Sequence, residues 1–403
     1  MSLLSRLPED RQCFIHLIAD ETPAPIYLVG GVVRDLLLER DSLDLDFVLE
    51  GDAITLARAL IQKYGGAIVT HAPFRTATWT LDHPNASVSV VDLITARREE
   101  YPAPAVLPVV TPSHLQDDLA RRDFTINAMA LRLDSELIDP FDGQGDLARK
   151  QVRVLHDRSF IDDPTRMFRA VRYAERYNFS IEPHTLALFD PASVALLTPE
   201  RIRHEIDLIL DEPNAARMMM RLRELNLLKA IDPSLDWDSD LSRIVDSVSD
   251  SDSSAWRFDP TPARRDLIYA LWLSHFEADQ FFRVSDRLAF SADQRRSITS
   301  AAQLRRDLKS LAGSKPSAWT NYLDSIPLIS IFVVWLETHQ PALLNYAVTW
   351  RHIHPQTNGH ALIARGMKPS PQFAQILNRL RNARLDGEVK TLEEEMALLD
   401  TLL

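Results

Sequence analysis

The sequence predicts an α+β head with a mixed sheet, followed by an all-helical remainder. Three observations predict this. Residues 26 to 141 alternate short apolar runs with helical patterns. Beyond about residue 145 the strand signals fade, while proline- and glycine-punctuated helical patterns run on to Leu403. The chain has 403 residues, which at about 150 per domain is enough for two or three domains. The expected divisions are a catalytic head at 1–145, a helical neck at 146–230, and a helical body and tail at 231–403.

The elements follow in order. Ile26 to Val29 reads as a strand entering a Gly-Gly turn, and Val32 to Leu38 as a helix. In Leu43 to Leu49, Asp44 and Asp46 alternate with Leu45 and Phe47, the period of a strand. Ile54 to Tyr64 is helical and stops at Gly65-Gly66. Ala67 to Thr70, Thr76 to Leu81 and Ser87 to Leu93 read as strands. Residues 97 to 118 read as loop, with prolines at 102, 104, 108 and 112, and helix returns near Leu115. Ala128 to Leu133 reads as a strand. In the remainder, Pro164 to Tyr177 is a helix capped by Asp163 before a first-turn proline. Pro199 to Leu210 and Ala215 to Leu228 are two more helices. Residues 232 to 254 are acidic and Ser-rich, either a linker or a solvated helix face. Ile326 to Leu336 is too short for a membrane helix, which needs about 20 apolar residues, and reads as a buried helix.

With 45% hydrophobic and 25% charged residues, the composition is that of an ordinary globular protein and excludes wholesale disorder. The single cysteine, Cys13, excludes an internal disulfide and a multi-cysteine zinc site, and points to a reducing compartment. The N-terminus lacks the pattern of a signal peptide. These features indicate a soluble cytoplasmic protein with no membrane partner and no obligate protein partner. A net charge of −12, if spread evenly, opposes binding to a phosphate backbone.

The chemistry concentrates in a few segments. Gly30-Gly31-x-x-Arg34-Asp35 precedes Asp44-x-Asp46. Two aspartates on one face of a strand repel unless a cation intervenes, and such hard oxygen donors suit Mg²⁺. The Gly-Gly turn lets backbone amides approach a triphosphate. Arg122 offers a fork of donors for phosphate, and Asp123 an acceptor for a ribose hydroxyl. Asp163 and Arg166, three apart at a helix start, share a face. Together they present acceptors and donors suited to the edge of a base, and Arg169 and Arg172 extend the row. No Walker A loop, metalloprotease His pair or nucleophile elbow is present.

The run GGVVRDLLLERDSLDLDFVLEG resembles the signature of the nucleotidyltransferase superfamily that contains bacterial tRNA nucleotidyltransferases (CCA-adding enzymes) and bacterial poly(A) polymerases. The decamer Arg121 to Ala130, the turn Asp139-Pro140-Phe141-Asp142-Gly143, the segment Asp162 to Arg172, and Pro199-Glu200-Arg201-Ile202-Arg203 are similar to later motifs of the same class II enzymes. The resemblance implies a polymerase-β-like head, with Asp44 and Asp46 as Mg²⁺ ligands and Asp92 as a third carboxylate assisting the attacking 3′-hydroxyl. It implies nucleotide contacts from Gly30, Gly31, Arg34, Arg122 and Asp123. It makes Asp163 and Arg166 the base-reading pair, with Arg169 and Arg172 facing phosphate or stabilising that pair. The Asp139 turn is expected to be structural, and the Pro199 segment to brace the base-reading helix. Position 162 is Asp where the family pattern has Glu, so it carries no assigned role.

The implied activity is template-independent addition of CCA, or part of it, to tRNA 3′ ends from CTP and ATP, with release of pyrophosphate. Poly(A) synthesis, CC-only addition and A-only addition are the alternatives, and a non-catalytic RNA-binding relative is the rival from another class. The charge then reads as segregated. Aspartates crowd the metal segment and residues 232 to 254. Arginines crowd the neck (Arg153, Arg158, Arg166, Arg169, Arg172, Arg176, Arg201, Arg203), with further basic residues in the tail (Arg365, Lys368, Arg379, Arg381, Arg384). RNA is expected along the neck and tail, with strongly salt-dependent binding.

Overall fold

A computed structural model describes residues 3–40, 45–85, 88–134, 136–250 and 256–403. The chain divides into two compact units, Met1–Arg201 and Ile202–Leu403. The divide falls inside the helix Pro199–Leu210, so residues 146 to 201 share a unit with the sheet.

The first unit begins with helix α1 (Glu9–Asp20), strand β1 (Ile26–Val29), helix α2 (Gly31–Leu37), strand β2 (Leu45–Leu49) and helix α3 (Ala53–Tyr64). Strands β3 (Ala67–His71), β4 (Thr76–Asn85) and β5 (Val88–Thr95) follow, then β6 (Arg97–Glu100) and β7 (Val109–Pro112). Helix α4 (Leu115–Ala120), strands β8 (Ala130–Arg132) and β9 (Leu137–Ile138), and helix α5 (Gly143–Arg149) come next. After the short strand β10 (Gln151–Val152) come helices α6 (Ser159–Asp162) and α7 (Thr165–Tyr177), and strand β11 (Ser180–Ile181).

Seven strands form one mixed sheet in the order β3-β4-β5-β2-β1-β8-β9. Among its pairings only β2 with β5 is parallel. The alternation read in the sequence places Leu45, Phe47 and Leu49 on one buried face of β2. Val48 packs on the opposite face with Val29, Ala96, Ala130 and the α4 residues Leu115 and Leu119. Asp46 shares that second face by strand periodicity and is only partly buried. The helix that covers this half of the sheet therefore also leads directly into Arg121 and Arg122.

Most expected elements are present within a residue or two. Helix α3 opens on Asp52, whose carboxylate accepts from the N–H groups of Ile54 and Thr55 at 2.9 and 3.0 Å, and it ends at Gly65. Helix α7 starts at Thr165, with Asp163 accepting from the Thr165 N–H at 3.0 Å, and ends on left-handed Asn178.

Three expectations are corrected. Residues 97 to 112 are not a loop throughout, because β6 and β7 pair as an antiparallel hairpin. Cross-strand pairing outweighs the prolines there, since Pro112 stands at the strand end. The stretch Ala128 to Leu133 is extended only over Ala130–Arg132, preceded by a 3₁₀ turn at Thr125–Asn127. The span Ala215 to Leu228 is two helices, Ala215–Glu224 and Leu227–Ile231, separated by left-handed Asn226. Within the acidic stretch, Ser239–Asp250 is a helix, as one of its two readings required. Helix α1 was not expected from the sequence. It buries Phe14, Ile15 and Ile18, and the Phe14 ring lies 6.1 Å from Trp79 of β4.

The second unit is helical. The segment read as a buried helix is one, Leu328–Thr338, with Ile331, Phe332, Val333, Val334 and Leu336 buried. Among the described residues no helix is long and apolar enough to cross a membrane.

Candidate active site

Asp46 and Asp92 are register partners on the parallel strands β2 and β5. Residues paired in register point to the same side of a sheet, so the two carboxylates stand side by side, both partly buried. Asp44 lies outside the described residues. Among the described residues no group of three or more metal-ligating side chains is assembled, so the acidic pair is what the described sheet contributes. Two neighbouring carboxylates are hard oxygen donors, and that donor chemistry fits a divalent ion such as Mg²⁺ or Mn²⁺ better than a soft-ligand metal.

Gly30 borders this pair. It is left-handed (φ +68°), and a Cβ there would stand 2.8 Å from Nη1 of Arg122 and 3.9 Å from Oδ2 of Asp46. Glycine is required twice over, by backbone conformation and by the close approach of Arg122. Gly30→Ala is therefore expected to cost about 1–3 kcal/mol in stability and to push Arg122 aside. Thermal unfolding together with nucleotide-binding measurements checks this. Unchanged binding with normal stability would contradict the close packing. Gly31 opens α2 beside it.

Arg122 is held from the other side. Asp118, on α4, is fully buried and accepts from both Arg121 (Nε 2.9 Å, Nη2 2.7 Å) and Arg122 (Nε 3.3 Å, Nη2 3.0 Å). Burial alone would raise the Asp118 carboxyl, but the two guanidiniums outweigh it and hold it below the usual range. Arg122 also donates to the Asn127 carbonyl at 3.2 Å. Arg121 reaches Glu99 on β6 at 3.1 Å, which ties the hairpin to the same network. The sequence reading passed over Asp118. Its spacing of three and four residues before the two arginines on a helix was the available signal.

Asp123 is 8% exposed and accepts from the Asn127 side-chain amide at 2.9 Å and from Arg169 Nε at 2.8 Å. Burial pushes its carboxyl up, yet Arg169, Asn127 and Arg166 together bring it down to about 2. A lowered carboxyl stabilises the fold above its unfolded value and loses that contribution as pH falls towards the folded one. The contribution, about 2 kcal/mol at neutral pH, is expected to vanish between about pH 5 and 2. Denaturant unfolding of wild type and Asp123→Asn across that range checks it: the two stabilities should converge on acidification, and a constant gap would refute it.

Arg34 is 4% exposed. It donates to the Asn127 side-chain oxygen at 2.5 Å and to Asp35 at 3.0 Å, and it lies over the rings of Tyr177 and Tyr173 on α7 at 4.6 and 5.3 Å. The guanidinium sequence reading assigned to nucleotide is thus placed between α2 and α7, and the Tyr177 hydroxyl donates to Asp35 at 3.1 Å. Tyr173 and Tyr177, one helical turn apart, were legible as a pair but were not singled out.

On α7, Arg166 is 5% exposed and donates to the Ser159 hydroxyl and the Arg121 carbonyl, each at 2.8 Å. Asp163 accepts from Arg201 at 2.6 Å and from the Thr165 hydroxyl at 2.6 Å. Arg201 also donates to the Ala105 carbonyl in the hairpin at 2.5 Å. The Pro199 segment thus braces the start of α7, as expected of it. Arg169 remains about a third exposed and bonds Asp123, while Arg172 is buried and lies 5.0 Å over Tyr173. Asp139 caps α5 by accepting from Gly143 and Gln144 N–H groups at 2.7 and 2.9 Å. A Cβ on Gly143 would meet the Thr125 carbonyl at 2.5 Å. That turn seats the motif carrying Arg122 and Asp123.

The residues that come together are thus Gly30, Asp46, Asp92 and Arg122 at the sheet. A second group, Asp123, Asp163, Arg166 and Arg169, lies along α7 and is linked to the first through Arg121 and Asn127. Comparison with known proteins places the chain in a family. A family profile described as "Poly A polymerase head domain" matches residues 26–153, and one described as "Probable RNA and SrmB- binding site of polymerase A" matches residues 178–238. The A-adding tRNA nucleotidyltransferase of Halalkalibacterium halodurans is 32% identical over 92% of this chain and 87% of its own length.

The chain belongs to the tRNA nucleotidyltransferase family. The A-adding tRNA nucleotidyltransferase of Geobacter sulfurreducens is 33% identical over 94% of this chain, which spans 45% of that longer protein. The solved apo form II of a CCA-adding enzyme superposes with a TM-score of 0.81 at 27% identity, covering 100% of this chain and 98% of the other. This tRNA nucleotidyltransferase homologue is therefore an enzyme with the fold of CCA-adding enzymes. Nucleotidyltransferases of its family generally use a divalent metal.

The arginines expected to present charge to RNA are largely engaged within the protein. In the neck, Arg153 pairs with Asp146 at 2.8 Å, Arg158 with Asp162 at 3.1 Å and Arg203 with Asp207 at 3.4 Å. In the tail, Arg379 pairs with Glu388 at 2.9 Å, and Arg365, Arg381 and Arg384 pair with Asp400, Asp324 and Glu395. Lys368 is exposed.

Proposed function

We propose that this chain adds the terminal A to tRNA 3′ ends from ATP, using Mg²⁺ held by Asp46 with Asp44, and with Asp92 assisting. The observation that carries it is the acidic pair on β2 and β5, set beside Gly30 and the clamped Arg122. An A-adding relative that is 32% identical and matched over 87% of its own length supports the A-adding assignment. The full-length likeness to a CCA-adding enzyme favours a second reading, addition of CTP-derived residues as well as A.

In the proposed reaction the tRNA 3′-oxygen attacks the α-phosphorus and forms a new P–O bond. The bond to the β-phosphate bridging oxygen breaks, and pyrophosphate leaves. Asp92 takes the hydroxyl proton. Arg122 and the backbone of Gly30 and Gly31 hold the phosphates, and Asp163 with Arg166 read the base edge. Arg169 and Asp123 fix that pair against the sheet, and Arg34 with Arg172 stiffens α7 behind it. A bound divalent ion would supply charge stabilisation at the reacting phosphate. We place the activity in the cytoplasm, in keeping with a single, unpaired cysteine.

The test offers three tRNAs, ending before the CCA, in C, and in CC, with ATP, CTP or both, and sequences the products. A single A added only to the CC-ending tRNA is expected. Conversion of the unextended tRNA to CCA would establish the second reading, and long A tracts would establish poly(A) synthesis. EDTA is expected to stop extension and Mg²⁺ to restore it.

A further inference from the structure

We infer that Thr78 is a positioning residue for the proposed base Asp92, an inference that rests on the catalytic reading of Asp92 given above. On β4, Thr78 is the register partner of Asp92 on β5, and Asp92 is the register partner of Asp46 on β2. The three side chains form one row across three adjacent strands on one face. Within it the Thr78 hydroxyl donates to Oδ1 of Asp92 at 2.5 Å, at the short end for a hydroxyl on a carboxylate.

The consequence is orientational. An aspartate's terminal torsion is broad and roughly two-fold, so an unheld carboxylate on a strand samples many planes. A hydroxyl from the neighbouring strand fixes one oxygen, Oδ1, and with it the plane of the carboxylate. The flanking residues of β5 give this row a rigid base, because Val91 and Leu93 are fully buried and Trp79, next to Thr78, is 1% exposed. A group that accepts a proton in the transition state gains from being held in place before the reaction. Neither composition nor spacing marks Thr78; only the pairing of β4 with β5 puts it beside Asp92.

The experiment compares Thr78→Val, Thr78→Ser and Asp92→Asn in the full chain, measuring single-nucleotide addition to CC-ending tRNA, ATP binding without tRNA, and thermal unfolding. Thr78→Val keeps the shape and removes the hydroxyl. It is expected to lower kcat about 10- to 100-fold, with KM for ATP, ATP affinity and Tm near wild type. Thr78→Ser restores the donor and is expected to return kcat to within about 3-fold of wild type. A Thr78→Val enzyme with normal kcat, beside an inactive Asp92→Asn enzyme, would overturn the role of Thr78 and leave that of Asp92 standing. An active Asp92→Asn enzyme would overturn the reading of Asp92 and this inference with it. Equal losses in the Val and Ser variants, or a loss confined to ATP affinity, would show that Thr78 acts through packing or binding, and would also overturn it.

Discussion

Asp46→Ala is expected to lower nucleotide addition by about 10³-fold or more while leaving the fold intact. The carboxylate is only partly buried and stands beside Asp92 on the parallel strand. Because the side chain is only partly buried, its loss should cost the fold far less than it costs the reaction. The reaction, in contrast, loses a ligand for a divalent ion whose charge stabilisation is worth several kcal/mol, and each 1.36 kcal/mol is a factor of ten in rate. Circular dichroism, Tm and the extension assay on one preparation separate the two effects. An enzyme within tenfold of wild type would remove Asp46 from the site.

Asp118→Ala is expected to be strongly destabilising. Its carboxylate is fully buried and accepts from two guanidiniums that are themselves about 15% and 13% exposed. Deleting one partner of a buried ion pair costs about 3–5 kcal/mol, because the remaining charge is left uncompensated. Here two cations lose their acceptor at once, and only Arg121 keeps another carboxylate, Glu99. A fall in Tm of about 8–15 °C follows for a unit of this size. Arg122 would also be released from its place beside Gly30, so activity should fall further than the fraction unfolded explains. A Tm within about 2 °C of wild type would show that Asp118 is dispensable.

The sequence made the sheet of the first unit readable because strand periodicity and chain punctuation are local properties. Asp52 before α3, Gly65 after it, and alternating Leu45, Phe47 and Leu49 are each set by their neighbours in the chain. The hairpin at 97 to 112 was missed because what makes it a hairpin is pairing across residues, such as Arg98 with Thr111, which proline content obscures. Helix α1 was missed for a related reason: its weak apolar stripe becomes meaningful only against Trp79 of a distant strand. In the site, motif likeness reached Asp46, Arg122 and Asp163 through their residue types. It did not separate side chains that face a ligand from side chains that hold others in place. Arg34 and Arg172 are buried, and Arg34 is packed on Tyr173 and Tyr177 and bonded to Asn127. A charge count weighs such a guanidinium the same as one in water. Nor does a charge count show that most arginines of the neck and tail have carboxylate partners.

The pairing of β1 has a consequence for how the protein comes to be made. β1 lies between β2 and β8, so one of its two neighbours is synthesised at once and the other only after β7 and α4. Until Ala130–Arg132 has left the ribosome, β1 presents a row of unpaired backbone groups flanked by fully buried residues such as Leu28 and Val29. An exposed edge of that kind is a template for pairing with another chain, and pairings distant in sequence form slowly. Fragments that end between β5 and β8 would carry both Asp46 and Asp92 and still be prone to aggregate. Chaperone dependence is therefore expected to be greatest for chains stalled before residue 130.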